Sequence, residues 1–429
     1  MDTIFALASG AGKAGVAVIR ISGPSSLHAL KSLHGVEPKP RYASLQRLKD
    51  QDGSLLDEVL VLFFEAGASF TGDDVVELHL HGSISIVQRT LSLLSQVSGC
   101  RVAKPGEFTR RALENGRFDL SQVEGLADLI DAETEAQRKQ AQRLLQGGLS
   151  DLVETWRSLL IEARAFLEVT IDFADEDVPV DVSDDVMRNI EMVRDGVRTE
   201  LGGFTASSKV REGFEVAIVG APNVGKSTLL NMLAGREAAI TSEIAGTTRD
   251  VIEVRMDVEG LPVTFLDTAG IRDTDDEIEA LGVQLARRRA READMRVFLM
   301  TSADDPEPDL FMDGDLVKVG KADLMPDVVN GVSGATGVGV PELLKDVGDR
   351  LKSLVSGAGV AVNERHVSSL RKALDHLDRA SEILKLGAEG YDLSSEEVRL
   401  ATRSIDHLIG HVDIESIYDQ IFSRFCLGK

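Results

Sequence analysis

The chain has 429 residues, 43% hydrophobic and 28% charged, an ordinary soluble composition with room for two to four domains. A net charge of −24 excludes non-specific nucleic-acid binding, so any RNA contact must use a local basic patch or a partner. Aromatics at 4% argue against base-stacking platforms, and two cysteines, Cys100 and Cys426, make no disulfide framework and fit a reducing cytoplasm. The opening stretch MDTIFALASGAGKAG reads as no signal peptide, and no transmembrane span is expected.

Residues 1–117 read as α+β. VAVIRI (16–21), EVLVLFF (58–64) and VVELHL (75–80) are strand-like, and residues 84–97 have helical spacing. GAGKAG (10–15) lacks the Gly-Lys-Ser/Thr ending of a phosphate loop and runs into a strand. His79 and His81 share one face of a strand, with no further metal ligand spaced nearby, so polar roles are expected. Residues 118–210 read as helices. Leu149, Leu152, Val153, Trp156, Leu159, Leu160, Ala163, Phe166 and Leu167 form one broad apolar face. The acidic run DFADEDVPVDVSDD (172–185) reads as a solvated loop.

Strand and helix patterns alternate over 211–356, which implies a mainly parallel sheet. From 357 to 429 the chain is helical again. Val367, Leu370, Leu374, Leu377, Ile383 and Leu384 share a face. Ser394 with Glu397 reads as a capping box before Val398, Ala401, Ile405, Leu408 and Ile409. The two helical stretches are expected to pack together as one discontinuous domain (118–210 plus 357–429), with 211–356 inserted between them.

GAPNVGKST (220–228) fits the phosphate-loop pattern G-x-x-x-x-G-K-[ST], between the strand-like FEVAIV (214–219) and a helical stretch that stops at Gly235. Backbone amides from Asn223, Val224 and Gly225 through Thr228 would converge on phosphate. Lys226 would reach the β- and γ-phosphates, and the Ser227 hydroxyl would ligate Mg²⁺. Asp267, Thr268, Ala269 and Gly270 (DTAG) follow an apolar run, and an Asp there holds Mg²⁺ through water. GTTRD (246–250) supplies Thr247 and Thr248 for a switch. Gly320, Lys321 and Asp323 (GKAD) offer a carboxylate that guanine can satisfy and adenine cannot. Ser333, Gly334 and Ala335 add backbone contacts to the base. Order and spacing match a GTPase. Two departures stand out. Gly320 replaces the usual Asn, which removes a brace between base and phosphate loop and should weaken guanine affinity by ~1–2 kcal/mol. Ile271 replaces the water-orienting Gln of Ras-like enzymes, leaving Asp273, Asp275, Asp276, Glu277 and Glu279 as acidic alternatives.

Full-length blocks then carry a resemblance: DTIFALAS, IRISG, SFTGDDVVELHLHG, KPGEFTRRALENGRFDL, ADLIDA, GAPNVGKSTLLNMLAGREAAITSEIAGTTRD and the ending FCLGK. The chain resembles the MnmE (TrmE) family of tRNA-modification GTPases. The resemblance implies an α+β folate-binding and dimerisation domain (1–117), a discontinuous helical-bundle domain (118–210 plus 357–429) and an inserted Ras-like P-loop G domain (211–356). It implies GTP/GDP, Mg²⁺, K⁺ and a tetrahydrofolate derivative as cofactors. The partners it implies are a second copy of the chain, the flavoprotein MnmG in a heterotetramer, and tRNA bound through that complex in the cytoplasm. The family installs an aminomethyl or carboxymethylaminomethyl group at C5 of wobble uridine 34, with the one-carbon unit from methylene-tetrahydrofolate. Carried over by position, folate contacts fall on Arg20, Glu77, Arg117 (Lys is usual there) and Lys429. K⁺ ligands fall on Asn223, Ser242, Ile244 and Thr247, Mg²⁺ ligands on Ser227 and Thr248, and the water-orienting acid on Glu279. Arg272 is read as support for the switch loop. Cys426 lies in the ending motif without a nucleophilic role. The alternatives are an Era-like switch in ribosome assembly and a folate-binding module with a vestigial G domain. An Era-like protein would carry a basic C-terminal RNA-binding domain, where this C-terminus is acidic to neutral.

Overall fold

The computed structural model describes residues 2–172, 182–236, 239–240, 253–267, 287–301, 310–325 and 328–411, together with 422, 425 and 428. Contacts divide the chain into two compact units: 1–127 with 145–155 and 405–429, and 128–144 with 156–404.

The first unit is built on β1 (Thr3–Leu7), β2 (Val16–Ser22), β3 (Ser44–Lys49), β4 (Leu55–Phe64), β5 (Val75–His81) and β6 (Cys100–Val102), in the order β3-β4-β5-β2-β1-β6. The pairings are antiparallel except β1 with β6. Alternation explains the layering. Ile19, Ile21, Val59, Val61, Val76 and Leu78 face one side and are buried with residues of α1 (Ser26–Ser32) and α2 (Ile84–Leu94). Arg20, Leu60, Glu77 and His79 occupy the alternate positions. The His81 ring Nδ1 lies 2.7 Å from Asp57 Oδ1, a polar role. α3 (Glu107–Glu114) follows β6. Phe422 and Phe425 are buried with Val123, so the chain's ending joins this unit.

A charged network ties β6 and α3 to the first residues. Arg101 pairs with Glu107 and Asp2, and the nearly buried Arg111 donates to Asp2 Oδ1 at 2.6 Å. Burial raises the Glu107 pKa, but the hydrogen bond from Arg101, the Lys104 amide and the charges of Arg101 and Arg111 outweigh it, and the net shift is downward. Burial likewise opposes, and Arg101 and Arg111 overcome it, at Asp2. A carboxylate depressed in the folded state contributes stability above its unfolded pKa, and that contribution is lost as pH falls through the folded value. Urea midpoints of this unit are therefore expected to fall below about pH 4.5. Glu107→Gln should start lower at pH 7 and show a flatter acid limb. A variant with an unchanged limb would refute the network's role.

α4 (Leu120–Asp131), which passes into the second unit at Asp128, leads to α5 (Glu135–Leu145), α6 (Gly148–Asp172), whose first residues to Thr155 belong to the first unit, and α7 (Ser183–Glu212). α6 is the expected long helix: Leu149, Val153, Trp156, Leu160, Ala163 and Leu167 are buried, and Leu152, Leu159 and Phe166 flank them half-buried. The acidic run is partly helical. It supplies the end of α6 and the first turn of α7, where Asp184 and Asp185 suit the positive end of the helix dipole.

The sheet comprises β7 (Phe214–Gly220), β8 (Glu253–Val258), β9 (Leu261–Asp267), β10 (Met295–Met300), β11 (Leu316–Gly320) and β12 (Gly331–Val332), ordered β12-β11-β10-β7-β9-β8. All pairings are parallel except β8 with β9, so the sheet is mostly parallel as expected. Its strands read as continuous apolar runs because α8 (Lys226–Ala234) and α9 (Val340–Leu354) bury Val216, Ile218, Val297 and Leu299 on one face, and Ala217, Val219 and Phe298 are buried in a second cluster.

α10 (Glu364–Leu384) and α11 (Tyr391–Ile409) complete this unit up to residue 404. Arg198 of α7 donates to Asp378 of α10 at 3.2 Å, joining helices that precede and follow the parallel sheet in sequence. The expected capping box is not formed. α11 begins at Tyr391, which places Ser394 inside the helix, and its Oγ donates to the Ala380 carbonyl of α10 at 3.2 Å. Glu397 accepts from Arg379 at 3.1 Å and lies 2.6 Å from His376 Nδ1. The pattern was right in spacing, but helix-to-helix hydrogen bonds compete for both side chains.

Candidate nucleotide-binding site

The parallel strands end at a common edge. Gly220 of β7 aligns with Leu299 of β10, Ile218 with Asp267 of β9, and Met300 with Val319 of β11. Ligands of open α/β sheets bind at that carboxyl edge. The phosphate loop leaves β7 and enters α8. Asn223 takes a left-handed φ of 61° and Gly225 a φ of 115°, which turn the chain tightly before the helix N-terminus. The Lys226 ammonium lies over the loop, donating to the Gly220 carbonyl at 2.8 Å and the Ala221 carbonyl at 3.0 Å. Ser227 Oγ donates to Asp267 Oδ2 at 2.9 Å. Asp267 is 7% exposed, and its Oδ1 is buried with no hydrogen-bond partner among the described residues. A buried carboxylate oxygen left unmatched beside a serine hydroxyl is a donor set that suits a hard divalent cation.

Beside the loop lies a cavity of about 220 Å³. Val224, Gly225 and Thr228 line it from the phosphate loop and α8, Gly320, Lys321 and Asp323 from the end of β11, and Ser333, Gly334 and Ala335 from the segment after β12. Asp323 sits in a short 3-10 turn after Lys321, itself left-handed at φ 56°. Ser333 Oγ accepts the amides of Ala335 and Thr336 and so shapes the third segment. Three stretches spread over about a hundred residues of sequence thus meet at one cavity.

A second polar cluster lies on the sheet of the first unit. Arg20 and Glu77 face each other across β2 and β5, and Arg20 Nε donates to Glu77 Oε1 at 2.9 Å. The guanidinium stacks 5.1 Å from the Phe70 ring centroid and 5.8 Å from that of Phe108. Phe70 meets Phe118 edge-on at 5.6 Å. Neighbouring Arg117 donates to the Gly67 carbonyl at 3.0 Å.

Comparison with known proteins decides the family. A model described as "GTP-binding protein TrmE N-terminus" matches residues 3–117, and one described as "MnmE helical domain" matches 120–426. Two proteins named tRNA modification GTPase MnmE, from Roseobacter denitrificans and Ruegeria pomeroyi, are each 55% identical to this chain over the whole of both chains. The chain belongs to the MnmE family of tRNA-modification GTPases. Among solved structures, an Era variant from Aquifex aeolicus bound to GDP·AlF4⁻ is 29% identical over 32% of this chain and 56% of that one, with a TM-score of 0.24. The full-length MnmE likeness includes the C-terminal helices and so favours tRNA modification over an Era-like switch in ribosome assembly.

Of the site residues expected from the sequence, Ser242, Ile244, Thr247, Thr248, Thr268, Ala269, Gly270, Arg272, Glu279, Cys426 and Lys429 lie outside the described residues. So do Ile271 and its acidic neighbours. Sequence reading missed the apolar lining of the cavity, Leu229, Leu299, Leu324 and Val332, and the aromatic shelf under Arg20. Leu299 of β10 lies opposite the loop's first glycine, a register that sequence does not show. Phe70 and Phe108 stand inside the blocks SFTG and GEFT but carry no polar atom to attract notice.

Proposed function

We propose that this member of the MnmE family hydrolyses GTP and, with MnmG, forms the 5-aminomethyl or 5-carboxymethylaminomethyl group at wobble uridine 34 of certain tRNAs. The observation that carries the reading is the convergence of the phosphate loop, the Asp323 segment and Ser333–Ala335 on one cavity. Lys226 and the amides at the α8 N-terminus would hold the phosphates, and Asp323 would accept from the guanine edge. Ser227 with Asp267 would hold Mg²⁺, the unmatched Oδ1 supporting the fit, and Thr248 would complete the set. Bound Mg²⁺ would supply neutralising charge to the phosphates.

The potassium set of Asn223, Ser242, Ile244 and Thr247 belongs to the proposal, as do Glu279 for water and Arg272 for the switch. K⁺ would add positive charge where it develops on the transferring phosphoryl group, with G-domain dimerisation completing the site. Arg20, Glu77, Arg117 and Lys429 would hold a tetrahydrofolate derivative. The aromatic shelf beside the Arg20–Glu77 pair supports this, since a flat heterocycle needs both a stacking surface and a charged partner. The division into 1–117, 118–210 with 357–429, and 211–356 is supported by the contact of α7 with α10 across the insertion. A homodimer, the MnmG heterotetramer, tRNA bound through it and a cytoplasmic location complete the reading. Among the described residues no helix is long and apolar enough to cross a membrane.

The test is nucleoside analysis of tRNA from cells lacking this protein, with the wild-type chain returned on a plasmid. The expected result is loss of the uridine-34 modification and its restoration, with purified protein hydrolysing GTP faster in K⁺ than in Na⁺. Unaltered uridine 34 in the deletion strain would overturn the modification role, and equal rates in the two salts the potassium account.

A further inference from the structure

Sequence logic treats Gly320 as a loss, because the usual Asn would donate a hydrogen bond to the phosphate loop. The backbone gives a different account. A Cβ placed on Gly320 would lie 2.4 Å from the Val224 carbonyl oxygen and 3.1 Å from Val224 Cγ2, where ordinary contact is 3.4–4 Å. The end of β11 therefore rests directly on the phosphate loop, main chain against main chain. Val224 has little freedom to retreat, being 2% exposed and packed in the sheet core. The neighbouring walls are equally close. A Cβ on Gly220 would lie 2.3 Å from the Leu299 carbonyl oxygen, and one on Gly334 would lie 2.4 Å from the Leu229 nitrogen.

We infer that Gly320 is an affinity-determining position: the missing side chain lets β11 itself brace the phosphate loop, and restoring Asn there loosens the guanine pocket. This rests on the guanine-nucleotide reading of the cavity. A new Cβ must be accommodated by moving one of two backbones by about an ångström, and neither moves alone. β11 is held in register by β10 and β12, and the loop continues into α8. Asp323 lies three residues beyond Gly320 on the same cavity wall, so displacing the strand end displaces the carboxylate that would read the base. The regained hydrogen bond and the displaced wall act in opposite directions, and the sign of the change in affinity decides between them.

The experiment is equilibrium binding of a fluorescent GDP analogue to full-length wild type, Gly320→Ala and Gly320→Asn, with unlabelled GDP and XDP as competitors. Both variants are expected to bind about ten- to a hundredfold more weakly. Equal or tighter binding by Gly320→Asn overturns the inference. Hydrogen exchange of the nucleotide-free proteins gives a second readout: faster exchange confined to the phosphate loop and the end of β11 is expected, and unchanged exchange there counts against it. Failure of the underlying reading looks different. In that case wild type binds no guanine nucleotide, or Asp323→Asn fails to shift preference toward XDP.

Discussion

Lys226→Ala is expected to lower kcat/KM for GTP by about a hundred- to a thousandfold, the usual cost of removing one preorganised charge-stabilising donor. The side chain is nearly buried over the loop, and its ammonium satisfies the carbonyls of Gly220 and Ala221. Removing it takes away the loop's own cation, and no cation among the described pocket-lining residues other than Lys321 could replace it. Phosphate release by the full-length protein measures the loss, with nucleotide-free melting as the control for folding. Turnover within about threefold of wild type would mean that the loop is not where GTP reacts.

The largest structural effect is expected at Asp315. It pairs with Arg296 at 2.7 Å, and the two side chains are 1% and 4% exposed. Arg296 Nη1 also donates to the carbonyls of Ala290 and Ala293. Asp315 accepts the backbone amides of Arg296 and Met312 as well. Asp315→Ala leaves a buried guanidinium without its counter-charge and two amides without their acceptor, so a loss of about 3–5 kcal/mol is expected. Arg296→Met should cost less, because Asp315 keeps both amides. The chain's one tryptophan, Trp156, lies in α6 and will not report on this sheet. Hydrogen exchange of β10 and β11 is the better measurement. Equal protection in wild type and Asp315→Ala would show that the pair contributes nothing net.

Much of the nucleotide domain was legible because its signals are local. GAPNVGKST sits between a strand and a helix, and both boundaries fell within a residue or two of the observed β7 and α8. Asp323 and Ser333 were legible by order and spacing. The strands of the first unit were found where valine and isoleucine alternate, as at 16–21. β1, β3 and β6 were not: TIFAL and CRV are short, and SLQRLK is too polar to stand out. What sequence could not carry was competition at a distance. Ser394 and Glu397 have the spacing of a cap, but α10 supplies better partners. Gly320 looked like a simple deletion until the Val224 carbonyl was found in the space a side chain would need.

The proposed insertion of 211–356 also has a consequence for how the gene could be cut and rejoined. The chain enters the parallel-sheet domain straight from α7 and returns to that helix. Glu200 accepts the amides of Val360 and Ala361, and Ser207 Oγ donates to the Gly359 carbonyl. Entry and exit therefore both lie on the last stretch of α7, residues 200–212, a span of about 18 Å. Guest domains tolerate transplantation when their two chain ends are neighbours. A short connector between α7 and α10 could bridge the excised segment without pulling the helices apart.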